Sequence, residues 1–230
     1  MTGKAGSGIT AWQRHRDQLE HDNIRLILAA ILAADDCCVD IGASKGDILR
    51  TIVRCAPLGR HIAFEPTEIC HPGLVAEFPA VDVRRAAVGA RRGEAEFLEV
   101  LDESAFSGLR PIPNHRGRRV RRLTVPVEDL DSALPAGYIP AVIKIDVEGA
   151  EYEVLSGARA TLRKHRPFVI VEFARDAARA YGTTADDMFG LLHVDTGLRI
   201  FDVEGRGPYD RDGFRRAFED RRVENYFARV

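Results

Sequence analysis

A mainly parallel α/β sheet, doubly wound with helices on both faces, is the fold class this chain predicts. Three observations carry the prediction. Short apolar runs suited to buried strands recur at 38–41, 61–64, 141–145 and 168–173. Segments with apolar residues at helical spacing lie between them, Val154, Leu155, Ala158 and Leu162 being the clearest set. Alternation of this kind buries a parallel sheet on both sides. The third observation is where charge falls. The run Ala141-Val142-Ile143 leads into Lys144-Ile145-Asp146-Val147-Glu148-Gly149-Ala150-Glu151, with three carboxylates in six positions. A buried strand that ends in such a cluster is expected to end in a site.

Each element has its own signal. Residues 1–10 are Gly-rich and polar and read as a flexible tail. A single domain is expected over 11–230, opening with an N-terminal helix at 11–35 that Asp35-Asp36 terminates. A strand at 38–41, a helix at 47–55 and a strand at 61–64 follow, the last ending at Glu65-Pro66. A short helix at 74–78 precedes a third strand at 81–88. Residues 95–100 and 123–127 alternate well enough to pair as edge strands, and 128–134 reads as a short acidic helix. The strand at 141–145 is followed by one helix over 151–165 and a strand at 168–173. A helix at 184–194 and strands at 198–203 and 226–230 close the pattern. The irregular stretch 102–122 carries the basic run Arg116-Gly117-Arg118-Arg119-Val120-Arg121-Arg122. It reads either as a solvated loop or as a lid whose arginines meet an anionic acceptor.

Composition narrows the function classes. The chain has 230 residues, 45% hydrophobic and 30% charged, with a net charge of −2. That balance suits one globular core and does not suit a protein that grips nucleic acid over its surface. The longest apolar run, 26–34, is too short to span a bilayer, and no signal-peptide core follows the start. A cytoplasmic protein is expected. Cys37, Cys38, Cys55 and Cys70 form no Cys-x-x-Cys pair, so neither a zinc site nor a disulfide framework is expected.

The first strand runs into Asp40-Ile41-Gly42-Ala43-Ser44-Lys45-Gly46. Glycine belongs in such a turn because the backbone must bend sharply and approach a ligand. Glu65, at the end of the next strand, stands near the spacing at which nucleotide-binding folds hold ribose hydroxyls. A dinucleotide fingerprint counted from Gly42 would need glycine at 44 and 47, where Ser44 and Asp47 stand. Asp47 would also oppose a pyrophosphate. Asp40 suits a cationic head group such as the methionyl ammonium of S-adenosylmethionine. The plainer alternative is that Asp40 and Asp47 only cap a helix.

With these residues assembled, the chain resembles the FkbM family of S-adenosylmethionine-dependent methyltransferases. The matching pieces are 39–46, Phe64-Glu65-Pro66, Ala86-Ala87-Val88-Gly89, Gly93-x-Ala95-x-Phe97, Val125-Pro126-Val127-x-Asp129-Leu130-Asp131, 144–151, Val154-Leu155-x-Gly157-Ala158 and 167–172. The resemblance implies a Rossmann-like class I sheet of seven strands with the last antiparallel. It also implies a cofactor held by Asp40, Gly42, Ala43, Ser44 and Gly46, by Glu65 and Pro66, and by Ala87, Val88 and Asp146. The implied activity is O-methylation of a hydroxyl on a sugar, glycolipid or secondary metabolite. Two departures stand out: Ser44 where the family usually has Asn, and 67–72 in place of an Asn-containing run.

Methyl transfer asks for in-line positioning of an acceptor oxygen and removal of its proton. In this strand order Asp146 and Glu172 end neighbouring strands and are expected to converge. With Glu148 they are the candidate catalytic residues, either accepting the proton or holding a divalent cation. Glu148 and Glu151 also suit a helix N-terminus in their own right. Two other classes stay open: a nucleotide-cofactor oxidoreductase, and a catalytically silent, ligand-binding relative of methyltransferases. A nucleic-acid methylase is not expected, because no Asn-Pro-Pro-Tyr-like run follows the 141–145 strand.

Overall fold

The computed structural model describes residues 11–230, so the tail expected at 1–10 lies outside the described residues. Helix α1 (Ala11–Ile31) leads into β1 (Cys37–Ile41), α2 (Asp47–Cys55), β2 (Ile62–Phe64), α3 (His71–Glu77) and β3 (Asp82–Arg84). Next come β4 (Ala87–Val88), β5 (Gly93–Val100), β6 (Val120–Glu128), α4 (Leu130–Ala133) and β7 (Pro140–Ile145). Then follow α5 (Glu151–Ser156), α6 (Arg159–His165), β8 (Phe168–Glu172), α7 (Arg175–Tyr181) and α8 (Ala185–Phe189). Strand β9 (Arg199–Asp202), α9 (Arg211–Glu219) and β10 (Asn225–Arg229) complete the chain.

Seven strands form one sheet in the order β3-β2-β1-β7-β8-β10-β9. Its first five strands are parallel, and β10 runs antiparallel to both β8 and β9. Side-chain alternation assigns each face its helices. Cys38, Val142 and Ile170 pack with Ile24 and Leu28 of α1 and Ile48 and Ile52 of α2. The intervening Val39, Ile41, Ile143, Ile145, Val169 and Val171 pack on the other face against Val154, Leu155, Leu162 and Met188. Among the described residues no helix is long and apolar enough to cross a membrane.

The structure departs from the expected elements in four places. The strand expected at 81–88 is two strands in two sheets, because the chain leaves β2 after Glu65 N–H bonds Arg84 C=O and re-pairs as β4 with β6. The edge strands therefore build a separate three-stranded sheet, β4-β6-β5. The helix expected at 151–165 breaks at Gly157, where a side chain would strike the Gly89 carbonyl at 2.1 Å. Asp131 then caps the new N-terminus by accepting from Ala160 and Thr161 N–H at 2.9 and 2.8 Å. Finally, 120–122 belongs to β6, so the irregular stretch is only 101–119.

Candidate active site

The site begins with a buried ammonium. Lys144 faces Asp40 across the β1–β7 register. Its Nζ lies 3.2 Å from Asp40, 3.5 Å from Asp146, and donates to the Gly42 carbonyl at 2.8 Å. Lys144 is 6% exposed and Asp40 1%. Burial alone would discharge the ammonium, but the carboxylates of Asp40 and Asp146 hold it charged. Asp40 thus faces Lys144 and is not among the residues that line the cavity, where a direct ammonium contact was expected of it. Gly42, at φ +77, runs so close to β7 that an added Cβ would lie 1.8 Å from the Asp146 carbonyl oxygen. Ala43 and Gly46 also lie off the wall: Ala43 packs with Leu49 and Leu74, and Gly46 opens α2.

A cavity of about 410 Å³ lies at the carboxyl ends of β1, β2, β7 and β8. Gly42, Ser44, Glu65, Pro66, Ala87, Val88, Asp146, Glu148 and Glu172 line it. Glu65 is positioned from both sides. One oxygen accepts from Ser44 N–H at 2.7 Å, the other from Thr67 N–H at 2.9 Å and Thr67 Oγ1 at 2.5 Å. Ser44 takes a left-handed φ of 47° to present that N–H.

Asp146, Glu148 and Glu172 converge, offering carboxylate oxygens that all lie within 4.8 Å of one another. Burial and the Asp146 charge push Glu172 well above the ordinary carboxylate range. Burial, Asp146 and Glu151 do the same to Glu148. Burial acts on Asp146 too, but Lys144 and a hydrogen bond shared with Glu172 outweigh it and hold that carboxyl low. Asp146 is thus the most readily ionised of the three, and Glu148 and Glu172 hold their protons more tightly than free carboxyls do. This spacing also lets one divalent cation be shared, with Lys144 as the cation already beside it. Glu148 is delivered by a left-handed φ of 58°, and Gly149 follows at φ +110 against the Tyr181 ring of α7. Glu151 stays off the wall. It accepts from Val147 and Gly149 N–H at 3.2 and 2.9 Å, so it ties down the turn that carries Glu148.

The 101–119 connection covers the cleft, with Ser104, Phe106, Leu109 and Ile112 on the cavity wall. It is fastened along its length. The Cys70 thiol donates to Ser104 Oγ at 3.2 Å, Gly108 exchanges both backbone bonds with Leu98, and Arg110 lies over the Tyr181 ring. The arginines of the basic run do not line the cavity, which favours the solvated reading of that run over the anion-binding one. Arg119 pairs with Asp102, Arg122 with Glu96, Arg121 with Glu68 and Glu99, and Arg118 lies over the Phe106 ring.

Two residues escaped the sequence reading. Glu99, fully buried in β5, accepts from Glu68 and Ile69 N–H at 2.7 and 3.1 Å and so joins the second sheet to the entry of α3. Alternation puts it on the face of Ala95 and Phe97, where a carboxylate gives no apolar signal, and its pairing with Arg121 makes burial tolerable. His21 of α1 also lines the cavity, at a position where the helical pattern showed no signal beyond polarity.

This strand order, with its antiparallel β10 and a cleft over β1, β2, β7 and β8, is a class I methyltransferase fold. The methyltransferase FkbM domain matches residues 40–195, and the chain belongs to the FkbM family of S-adenosylmethionine-dependent methyltransferases. Among solved structures it is similar to methyltransferase FkbM from Methylobacillus flagellatus KT, with a TM-score of 0.54 and 19% identity. That match covers 87% of this chain and 45% of the other, so this chain spans less than half of that protein's length. It is also similar to the plantazolicin methyltransferase BpumL, solved with a pentazolic desmethylPZN analog and SAH, at a TM-score of 0.50 and 9% identity. That match covers 95% of this chain and 90% of the other. No curated protein matches the chain.

The turn geometry yields a pH test. Burial pushes Glu151 up to about 7 from an ordinary 4.5, against the pull of the Gly149 and Val147 N–H groups. The folded state thus holds this proton more tightly than the unfolded chain. Its stabilising contribution is complete below about 4.5 and is lost as pH rises through about 7. Glu151→Gln is expected to flatten the stability profile in that window, where the parent loses up to about 3 kcal/mol. Urea unfolding at pH 5 and pH 8 measures both slopes, and parallel slopes would remove Glu151 from this role.

Proposed function

We propose that this chain is an O-methyltransferase that moves the methyl of S-adenosylmethionine to a hydroxyl of a small acceptor such as a sugar, glycolipid or secondary metabolite. The observation that carries the reading is the convergence of Asp146, Glu148 and Glu172 at the ends of β7 and β8, beside a cavity that Glu65 and the Gly42–Ser44 turn also line. The donor set suits the cofactor. Glu65 offers a fixed carboxylate for a ribose diol, and the ionised Asp146 offers negative charge toward a sulfonium. Ser44, Pro66, Ala87 and Val88 supply the remaining contacts.

When bound, S-adenosylmethionine supplies an electrophilic methyl: the acceptor oxygen takes the methyl, the C–S pair stays on sulfur, and the hydroxyl proton departs. The protein's residues position and deprotonate. Asp146, held ionised by Lys144, accepts the hydrogen bond of the hydroxyl and then its proton, ending as the neutral acid beside Glu172. Lys144 already neutralises part of this cluster, which favours direct carboxylate action over a metal ion.

Four measurements test the reading. Calorimetry should show micromolar-range binding of S-adenosylhomocysteine and none comparable for NAD, with Glu65→Ala weakening it by about 1–3 kcal/mol. Tight NAD binding without a response to S-adenosylhomocysteine would overturn the cofactor assignment. Asp146→Asn should abolish turnover with the fold intact, and Glu172→Gln should lower kcat more than it raises KM. A chelator should leave the rate unchanged; a chelator-sensitive rate would reassign the trio to a metal ion. Residues 101–119 act as a lid, so their hydrogen exchange should slow when cofactor and acceptor are both bound. Equal exchange in both states would reduce the segment to a fixed wall.

A further inference from the structure

The N-terminal helix contributes a wall to the cavity, and a buried carboxylate determines where that wall stands. Glu20 is 2% exposed, and its Oε2 accepts from Glu224 N–H at 3.0 Å, Asn225 N–H at 2.9 Å and Asn225 Nδ2 at 2.9 Å. Asn225 opens β10 and lies in register opposite Glu172 of β8. Burying a carboxylate is costly unless its oxygens are engaged: three donors from one short segment satisfy Oε2, and Oε1 faces Arg16 Nε at 3.5 Å. The bonds clamp α1 beside the strand end that carries Glu172. The next residue, His21, thereby comes to the cavity wall with Arg16 and Asp17 from the same helix.

These neighbours differ in how far they are already engaged. Arg16 pairs with Glu224 at 2.9 Å and Asp17 at 3.1 Å, and Arg221 pairs with Asp176. Asp146, opposite, is held by Lys144. His21 is half-buried, faces the same space, and makes no hydrogen bond among the described residues. It lies close enough to Asp146 for a charge on its ring to act on that carboxyl. A neutral imidazole carries one ring N–H that can donate to a ligand in this cavity.

We propose that His21 is a catalytic residue that touches the acceptor: its ring N–H donates a hydrogen bond to the oxygen to be methylated, whose own proton goes to Asp146. The inference rests on the methyltransferase reading and adds to it, because it places the acceptor between α1 and the ends of β7 and β8. With one lone pair taken by His21 and the O–H directed to Asp146, the remaining lone pair is left to meet the methyl, which is the orientation that in-line transfer requires. Helix α1 lies outside the stretch matched by the FkbM domain, so the acceptor contact comes from a part of the chain that the family match does not cover.

The test uses two analogues of S-adenosylmethionine in which a tertiary amine nitrogen replaces sulfur. One nitrogen carries a methyl, the other a 2-hydroxyethyl arm whose hydroxyl stands in for the acceptor. Calorimetry on the full chain should show the hydroxyethyl analogue binding on the order of tenfold tighter than the methyl analogue. His21→Ala should erase that difference while leaving S-adenosylhomocysteine affinity unchanged, and His21→Gln should keep part of it. A wild type without the preference, or a His21→Ala variant that keeps it, would overturn the proposal. If His21→Ala also loses S-adenosylhomocysteine, His21→Gln decides. Retained cofactor binding with a reduced hydroxyl preference supports the acceptor contact, and loss of cofactor binding in both variants assigns His21 to the cofactor instead. A wild type that binds neither the analogues nor S-adenosylhomocysteine fails at the methyltransferase reading itself, and the His21 proposal falls with it.

Discussion

The ammonium of Lys144 is the constraint on which the rest of the site depends. It stands between two parallel strands, bonded to the turn that leaves one and paired with the carboxylate that ends the other. An unpaired charge at such depth would be expelled or neutralised, so Asp40 and Asp146 must stay where they are for Lys144 to remain charged. The coupling works in both directions. Lys144 keeps Asp146 ionised, and the ionised Asp146 in turn helps push the Glu172 and Glu148 carboxyls upward. One buried cation thereby sets the most acidic of three neighbouring carboxyl groups apart from the two that hold their protons more tightly. That separation of roles is what proton handling at neutral pH needs.

Around this centre the structure assembles walls of different origin. The Gly42–Ser44 turn and Glu65 come from the main sheet, where backbone N–H groups fix the carboxylate. The cover comes from the second sheet, which Glu99 joins to the entry of α3 through two backbone N–H groups. A third wall comes from α1 through the Glu20 clamp on Asn225. In each case a buried carboxylate receives backbone donors from a segment distant in sequence. Such bonds are directional, so they set relative position more sharply than apolar contact does.

The block 144–151 shows how compactly a sequence can encode such a site. Lys144 is the buried cation, Asp146 its anion, and Glu148 enters the cleft on left-handed backbone. Gly149 is glycine because Tyr181 and the Ala177 carbonyl leave no space for a side chain, and Glu151 secures the turn from below. Four charged residues in one short run thus do four different things. Their shared character says only that a site is present, and their separate environments divide the roles among them.

Much of the fold was legible before any coordinates. Apolar runs of four to six residues bounded by charge marked β1, β2, β7 and β8, because a strand buried on both faces must be apolar throughout. Helices α7 and α9 were not legible. The first buries only Ala177 and Ala178, and the second hides Phe214, Ala217 and Phe218 among arginines and acids. The sequence by itself determined the strand order's chemistry: a glycine turn after one strand, an acid after the next, and carboxylates after two neighbours. Only the tertiary structure decided which of these residues face the cavity. Asp40 faces Lys144, Arg119, Arg121 and Arg122 went to nearby acids and Arg118 onto Phe106, and His21 was brought in from the first helix. The reason is physical. Strand and helix periodicity are local and can be read along the chain, whereas the partner of a buried charge is chosen by whatever the fold packs against it.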